Sequence, residues 1–124
     1  MIAHVTINVS DFAKSREFYL KALKPLNYAL VMEFAEWSVA GFGENDKADF
    51  WLHTNAKLEP VHVAFVADSK ETVDTFYKEA MSAGGKDNGK PEYQKVYSPG
   101  YYASFVFDPD GNNIEAVFKD SEKE

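Results

Sequence analysis

The stretch HVTINVSD at residues 4–11 returns 58 residues later as HVAFVAD at residues 62–68. The correspondence runs on without a gap, Phe18-Tyr19 recurring as Phe76-Tyr77 and Ala22 as Ala80. In the first copy Val5, Ile7 and Val9 alternate with His4, Thr6 and Asn8. In the second, Val61, Val63 and Phe65 alternate with His62, Ala64 and Val66. Both are the period-two signature of a strand with one apolar face. A strand-turn-helix pattern repeated at half the length of a 124-residue chain predicts two copies of one supersecondary module. Neither copy can bury its apolar face alone. Histidines placed equivalently in the two copies can meet near the axis that relates them.

Working outward, Ser10 offers an N-cap for a helix over about 11–23, whose Phe12, Tyr19, Leu20 and Leu23 form a stripe for the sheet. Pro25 ends it. Strands are predicted over 28–34, 36–42 and 48–54, with Gly41 to Lys47 as a hairpin turn and Asn55 to Pro60 as the linker. In the second copy Asp68 is the expected N-cap, with Glu71 closing a capping box. Val73, Phe76, Tyr77 and Ala80 supply the stripe of a helix over about 69–84, and Gly84-Gly85 its C-cap. A polar loop over about 86–100, holding one short strand, precedes strands Tyr101 to Phe107 and Asn113 to Lys119. Between these, Asp108-Pro109-Asp110-Gly111-Asn112 is a strong turn signal. The expected fold is α+β: two β-α-β-β-β modules, residues 1–54 and 61–119, within one domain. The charged tail 120–124 is expected to fray.

Composition narrows the function. Hydrophobic residues at 45% place the chain among globular proteins. No cysteine is present, so disulfides and thiolate metal sites are excluded. A net charge of −7 disfavours nucleic acid as a partner. The sequence holds no apolar run long enough to span a membrane. Ile2 enters a strand pattern without a signal-like segment before it, so a cytoplasmic setting is expected. Arg16 is the sole arginine, which leaves little scope for a guanidinium clamp on an anionic substrate.

If Val5, Ile7 and Val9 face the helix, then His4 projects from the opposite face, and the same logic places His62 there. On the last strand Ile114, Ala116 and Phe118 form the helix-facing set, which turns Glu115 toward the two histidines. A lone strand histidine is most often a satisfied polar residue, and a lone glutamate a solvated one. Two symmetric histidines with a carboxylate on the matching face form a set that binds divalent ions while leaving open positions.

The motifs HVTINVSDFAKSREFY, ADFWLH, VHVAFVAD and PGYYASFVFDPDGNNIEAVF span nearly the whole chain. On these residues the protein resembles the vicinal oxygen chelate superfamily of glyoxalase I, fosfomycin- and bleomycin-resistance proteins and extradiol dioxygenases, most of all its single-domain glyoxalase-like members. The resemblance implies an open, curved sheet around a cleft, with helices outside. It implies His4, His62 and Glu115 as ligands of a divalent ion (Mn, Fe, Ni or Zn), with Glu115 also the catalytic candidate. Trp51 aligns with Glu115 where glyoxalase I carries a ligand, and an indole cannot ligate a metal, so standard glyoxalase I activity is not expected. Trp51, His53, Tyr97, Tyr101 and Tyr102 are the candidate substrate-pocket residues. The expected function is a metal-dependent enzyme of lyase, isomerase or dioxygenase type that holds a small substrate through two adjacent oxygens. The alternative is a metal-free sequestration protein of bleomycin-resistance type. A homodimer with the cleft at or near its interface is expected.

Overall fold

The computed structural model describes residues 1–55 and 57–123. Residue 56 of the predicted linker and residue 124 of the tail lie outside the described residues. The first module runs β1 (Val5–Val9), α1 (Phe12–Ala22), β2 (Ala29–Phe34), β3 (Val39–Glu44) and β4 (Lys47–Thr54). The second runs β5 (His62–Val66), α2 (Lys70–Ser82), β6 (Lys86–Tyr93), β7 (Tyr101–Phe107) and β8 (Asn113–Lys119). Each module builds a four-stranded sheet of the same order, β1-β4-β3-β2 and β5-β8-β7-β6, with the first strand parallel to the last. The β-α-β-β-β repeat is therefore present in both halves.

Local chemistry departs from the sequence reading at several points. Asp11, not Ser10, caps α1 by accepting from the Lys14 amide. Ser10 is drawn away because its amide and hydroxyl both donate to Asp110 in the turn between β7 and β8. Ser69 rather than Asp68 caps α2, accepting from the Thr72 amide, while Asp68 accepts from the Thr72 hydroxyl. Residues 35–37 form a short 3-10 turn, so β3 starts at Val39 and continues through Gly41 to Glu44. The hairpin turn shrinks to Asn45-Asp46, both at positive φ, as a two-residue hairpin with right-handed strand twist requires. The supposed polar loop yields β6, eight residues long and twice irregular in register against β7. Its polar composition hid it, because few apolar residues alternate along it.

One apolar core joins the two modules. Phe18, Tyr19, Ala22 and Leu23 from the first helical region are fully buried together with Phe42, Phe50 and Leu52 of sheet one and Val73, Phe76, Val106 and Ile114 of module two. Phe65 on β5 meets Phe50 edge to face at 5.1 Å and Tyr28 at 5.3 Å, so β5 seals against the first module through its helix-side face. Such edge-to-face pairs add about 1 kcal/mol each beyond their buried area. The alternation expected of β1 holds, with Ile7 and Val9 buried and Thr6 exposed.

Tyr19 donates to Asp108 at 2.5 Å inside this core. Burial, and then the charge of Asp108, push the Tyr19 phenol well above its ordinary value. Tyr28 and Tyr102 are raised as well, by burial first and then by their bonds to Asp49 and Asp74. A phenol whose folded pKa exceeds its unfolded value of about 10 contributes stability that is complete below that pH and lost as pH rises beyond it. Alkaline titration followed by tyrosinate absorbance is therefore expected to show Tyr19 ionising only as the fold is lost, and Tyr28 and Tyr102 ionising above their ordinary value. Ionisation of all seven tyrosines near their ordinary value in intact protein would contradict the packing.

Candidate functional site

The site grows out of β8. Glu115 is on the face of β8 turned away from α2, opposite Ala64 of β5 and Phe105 of β7. It is only 2% exposed. A buried carboxylate is costly unless partners satisfy it, and both its oxygens are engaged. Oε1 lies 2.8 Å from His62 Nε2, and Oε2 accepts from the Tyr101 hydroxyl at 2.5 Å. The His62 ring is half-exposed, so the pair is open to a ligand from the imidazole side. Phe105 stands beside it, its ring centre 6.3 Å from that of His62.

A carboxylate only accepts, so as a hydrogen bond the His62–Glu115 contact requires a proton on Nε2. The same nitrogen and oxygen, 2.8 Å apart, have the separation of two neighbouring donors on an ion with bonds of about 2.1 Å. Two of the three expected donors thus have a separation that suits a divalent ion, and ligation through Nε2 would leave the imidazole proton on Nδ1. The third donor is not gathered here. Among the described residues no three His, Asp or Glu side chains come together as an ion would need. His4, just ahead of β1, instead lines a cavity of about 300 Å³ with Tyr28, Glu44, Asp49 and the Val63–Val66 stretch of β5. The reason lies in the sheets: β1 and β5 are outer strands of separate sheets, and no described strand pairs with their free edges.

The candidate pocket residues divide between the two faces. Tyr101 touches Glu115 directly, and burial first, then that bond, raise its pKa, so its hydroxyl remains a donor at neutral pH. Tyr97 is largely exposed and packs against Tyr101, the ring centres 5.1 Å apart and the planes tilted by 54°. Tyr102 turns to the helix side and donates to Asp74 of α2, away from Glu115. The alternation along β7 requires this: neighbours such as Tyr101 and Tyr102 cannot share a face. On sheet one, Trp51 is half-buried opposite Thr6, and His53 is exposed opposite Asn8. Thr6–Trp51 and Ala64–Glu115 are matching register pairs 58 residues apart on the first strands, so Trp51 occupies the place of Glu115 in its own module. Phe105 was missed from the sequence, although β7 alternation from Tyr101 through Ala103 leads to it.

Known proteins share this arrangement of two four-stranded sheets with helices. The family model of the Glyoxalase/Bleomycin resistance protein/Dioxygenase superfamily matches residues 1–116. The chain belongs to this superfamily. It is 30% identical to the uncharacterized protein YqjT of Bacillus subtilis (strain 168), over 92% of this chain and 95% of that one. Among solved structures it is similar to a glyoxalase/bleomycin resistance protein from Albidiferax ferrireducens T118, with a TM-score of 0.80, 23% identity and coverage of 95% and 98% of the two chains. A glyoxalase/bleomycin resistance protein/dioxygenase family enzyme from Burkholderia phytofirmans PsJN aligns with a TM-score of 0.72 at 16% identity, covering 95% and 98%. At such identities these two structures establish the shared fold and nothing finer. Among the described residues no helix of this superfamily member is long and apolar enough to cross a membrane.

Proposed function

We propose that this protein is a divalent-ion-dependent enzyme of lyase, isomerase or dioxygenase type, acting on a small molecule that presents two adjacent oxygens. His62 and Glu115 of one copy hold the ion, and His4 of a second copy completes the set across paired β1 and β5 edges. The observation that carries this reading is the buried Glu115 carboxylate aligned with the half-exposed His62 nitrogen at 2.8 Å. The free edges of β1 and β5 support the homodimer, since unpaired edges invite pairing with another chain.

A bound ion would supply Lewis acidity to the paired substrate oxygens. The chain supplies the rest. Tyr101 orients Glu115 by its hydrogen bond to Oε2, fixing which oxygen faces the open side. Phe105 limits water on one flank of His62. Glu115, once its own bonds rearrange, is the group able to accept a proton from substrate.

Metal-free sequestration is the second reading, and one observation favours it: within a single chain His62 and Tyr101 already satisfy both Glu115 oxygens. Titration of acetohydroxamate, a compact two-oxygen chelator, into ion-loaded protein and into the His4→Ala/His62→Ala double variant separates the two. Ion-dependent binding that the double variant loses is expected. Equal binding by both proteins, or binding that needs no ion, would establish sequestration instead.

A further inference from the structure

Each histidine that opens a module has a short oxygen-bearing side chain near it, supplied by the last strand. In module two Asn113 of β8 is the cross-strand neighbour of His62 on β5. In module one the equivalent position is Asp49, two residues before Trp51 as Asn113 is two before Glu115, and it lines one cavity with His4. Both modules thus hold an imidazole close to a side-chain acceptor.

The Asn113 Oδ1 is buried and accepts no hydrogen bond. A buried acceptor without a donor is costly, and folded proteins keep few of them. Alternation along β8 puts the Asn113 side chain on the same face as Glu115. Its neighbours there are Phe107 across on β7, Glu115 two residues on, and His62 across on β5. Phe107 has no polar side-chain atom and an ionised Glu115 only accepts, so of the three His62 alone carries a hydrogen to give. In the present arrangement that hydrogen is on Nε2, 2.8 Å from Glu115 Oε1, which leaves Nδ1 of a neutral ring bare. A bare Nδ1 has nothing to offer Asn113.

We propose that Asn113 is a positioning residue for His62, its Oδ1 accepting the Nδ1 proton when the imidazole presents a bare Nε2 to an ion. The inference rests on the ion reading above. Exchange of the ring proton through solvent, lost at Nε2 and gained at Nδ1, has two effects at once. It frees the Nε2 lone pair for ligation, and it gives Asn113 the donor it lacks. A histidine that ligates through one nitrogen commonly donates its other N–H to a fixed acceptor, which holds both the tautomer and the ring orientation. The half-exposed His62 ring has room to adjust, while Asn113 is anchored by its amide, which donates to the Val61 carbonyl at 2.9 Å. Asp49 has the matching place near His4, and its Oδ2 is steadied by the Tyr28 hydroxyl.

Zinc is the probe, since it accepts imidazole and carboxylate donors and leaves NMR signals sharp. Side-chain nitrogen NMR reports which ring nitrogen of His62 carries the proton, and calorimetric titration gives the zinc affinity. In the zinc-loaded wild type a slowly exchanging Nδ1 proton on His62 is expected. In Asn113→Leu, similar in size but without an acceptor, that protection should be lost and zinc should bind about 10–100-fold more weakly. Asn113→Asp keeps an oxygen acceptor and should retain the protected proton and at least the wild-type affinity. Circular dichroism checks that both variants are folded. Without zinc, the share of neutral His62 protonated on Nδ1 should fall in Asn113→Leu and rise in Asn113→Asp. A protected proton and zinc affinity unchanged in Asn113→Leu, or lost equally in Asn113→Asp, would overturn the positioning role and leave the ion site standing. A wild type that binds no zinc, yet whose zinc-free proton balance shifts in Asn113→Leu, would contradict the ion site and support the contact between Asn113 and His62.

Discussion

Asp108→Ala is expected to destabilise the fold by about 3–5 kcal/mol, because it removes the acceptor of four hydrogen bonds. Its carboxylate is 3% exposed and accepts from the Tyr19 hydroxyl, the Asn112 side-chain amide and the backbone amides of Asp110 and Asn112. Alanine leaves these donors without an acceptor in a region closed to water, and each buried unmade bond costs about 1–3 kcal/mol. The bonds also act at two scales. The amide contacts shape the turn between β7 and β8, while Tyr19 ties that turn to α1 of the other module. Asn112 in turn accepts from the Val61 amide at the entry to β5. A melting temperature lower by roughly 10 °C or more is the expected readout. Tyr19→Phe removes one of the four bonds and should cost about 1–3 kcal/mol. If Asp108→Ala melts within a degree or two of the wild type, this network does not join the modules as described.

Glu115→Gln is expected to weaken divalent-ion binding by about 100-fold or more while leaving the protein folded. Loss of groups that merely support a ligand costs about 10–100-fold in affinity, and here a charged donor is itself neutralised. The amide oxygen of glutamine can still accept from Tyr101 or His62, so the buried position keeps a partner. Tyr101→Phe should cost less, because Glu115 keeps its charge and its contact with His62. The order of the two variants is informative: were Tyr101→Phe the more damaging, the tyrosine rather than the carboxylate would be the essential group.

The modules were legible because their signals are local and doubled. The alternation of Val5, Ile7 and Val9 and its echo in Val63 and Phe65 fixed both first strands, and the turn at Asp108 to Asn112 fixed the last hairpin. The residue that caps each helix was not legible. Ser10 and Asp11 are both able caps, and the choice is made by Asp110, a hundred residues away, which takes Ser10 for itself. β6 was under-read because two bulges and a polar sequence erase its period. At the site, strand alternation placed Glu115 and His62 on one face, and they do meet. It could not say whether β1 and β5 share a sheet, because that depends on how whole modules dock. His4 is therefore left apart from the pair within one chain. Nor does alternation reveal a pairing such as Tyr101 with Glu115, which needs the register between β7 and β8. Gly41 looked like a turn residue because glycine usually is one; only the Trp51 indole lying on it shows why it stands mid-strand.

The central claim is that an ion site is assembled from His62 and Glu115 of one copy and His4 of another. Its most direct test is the metal content of protein purified without a His-tag, for the wild type, His4→Ala, His62→Ala, and the two variants co-expressed. One divalent ion per chain is expected in the wild type and none in either variant alone. Co-expression should restore ion to a fraction of the chains, because a mixed dimer contains one intact site beside one broken twice. A wild type without affinity for ion, or a mixture as empty as its components, would contradict the account.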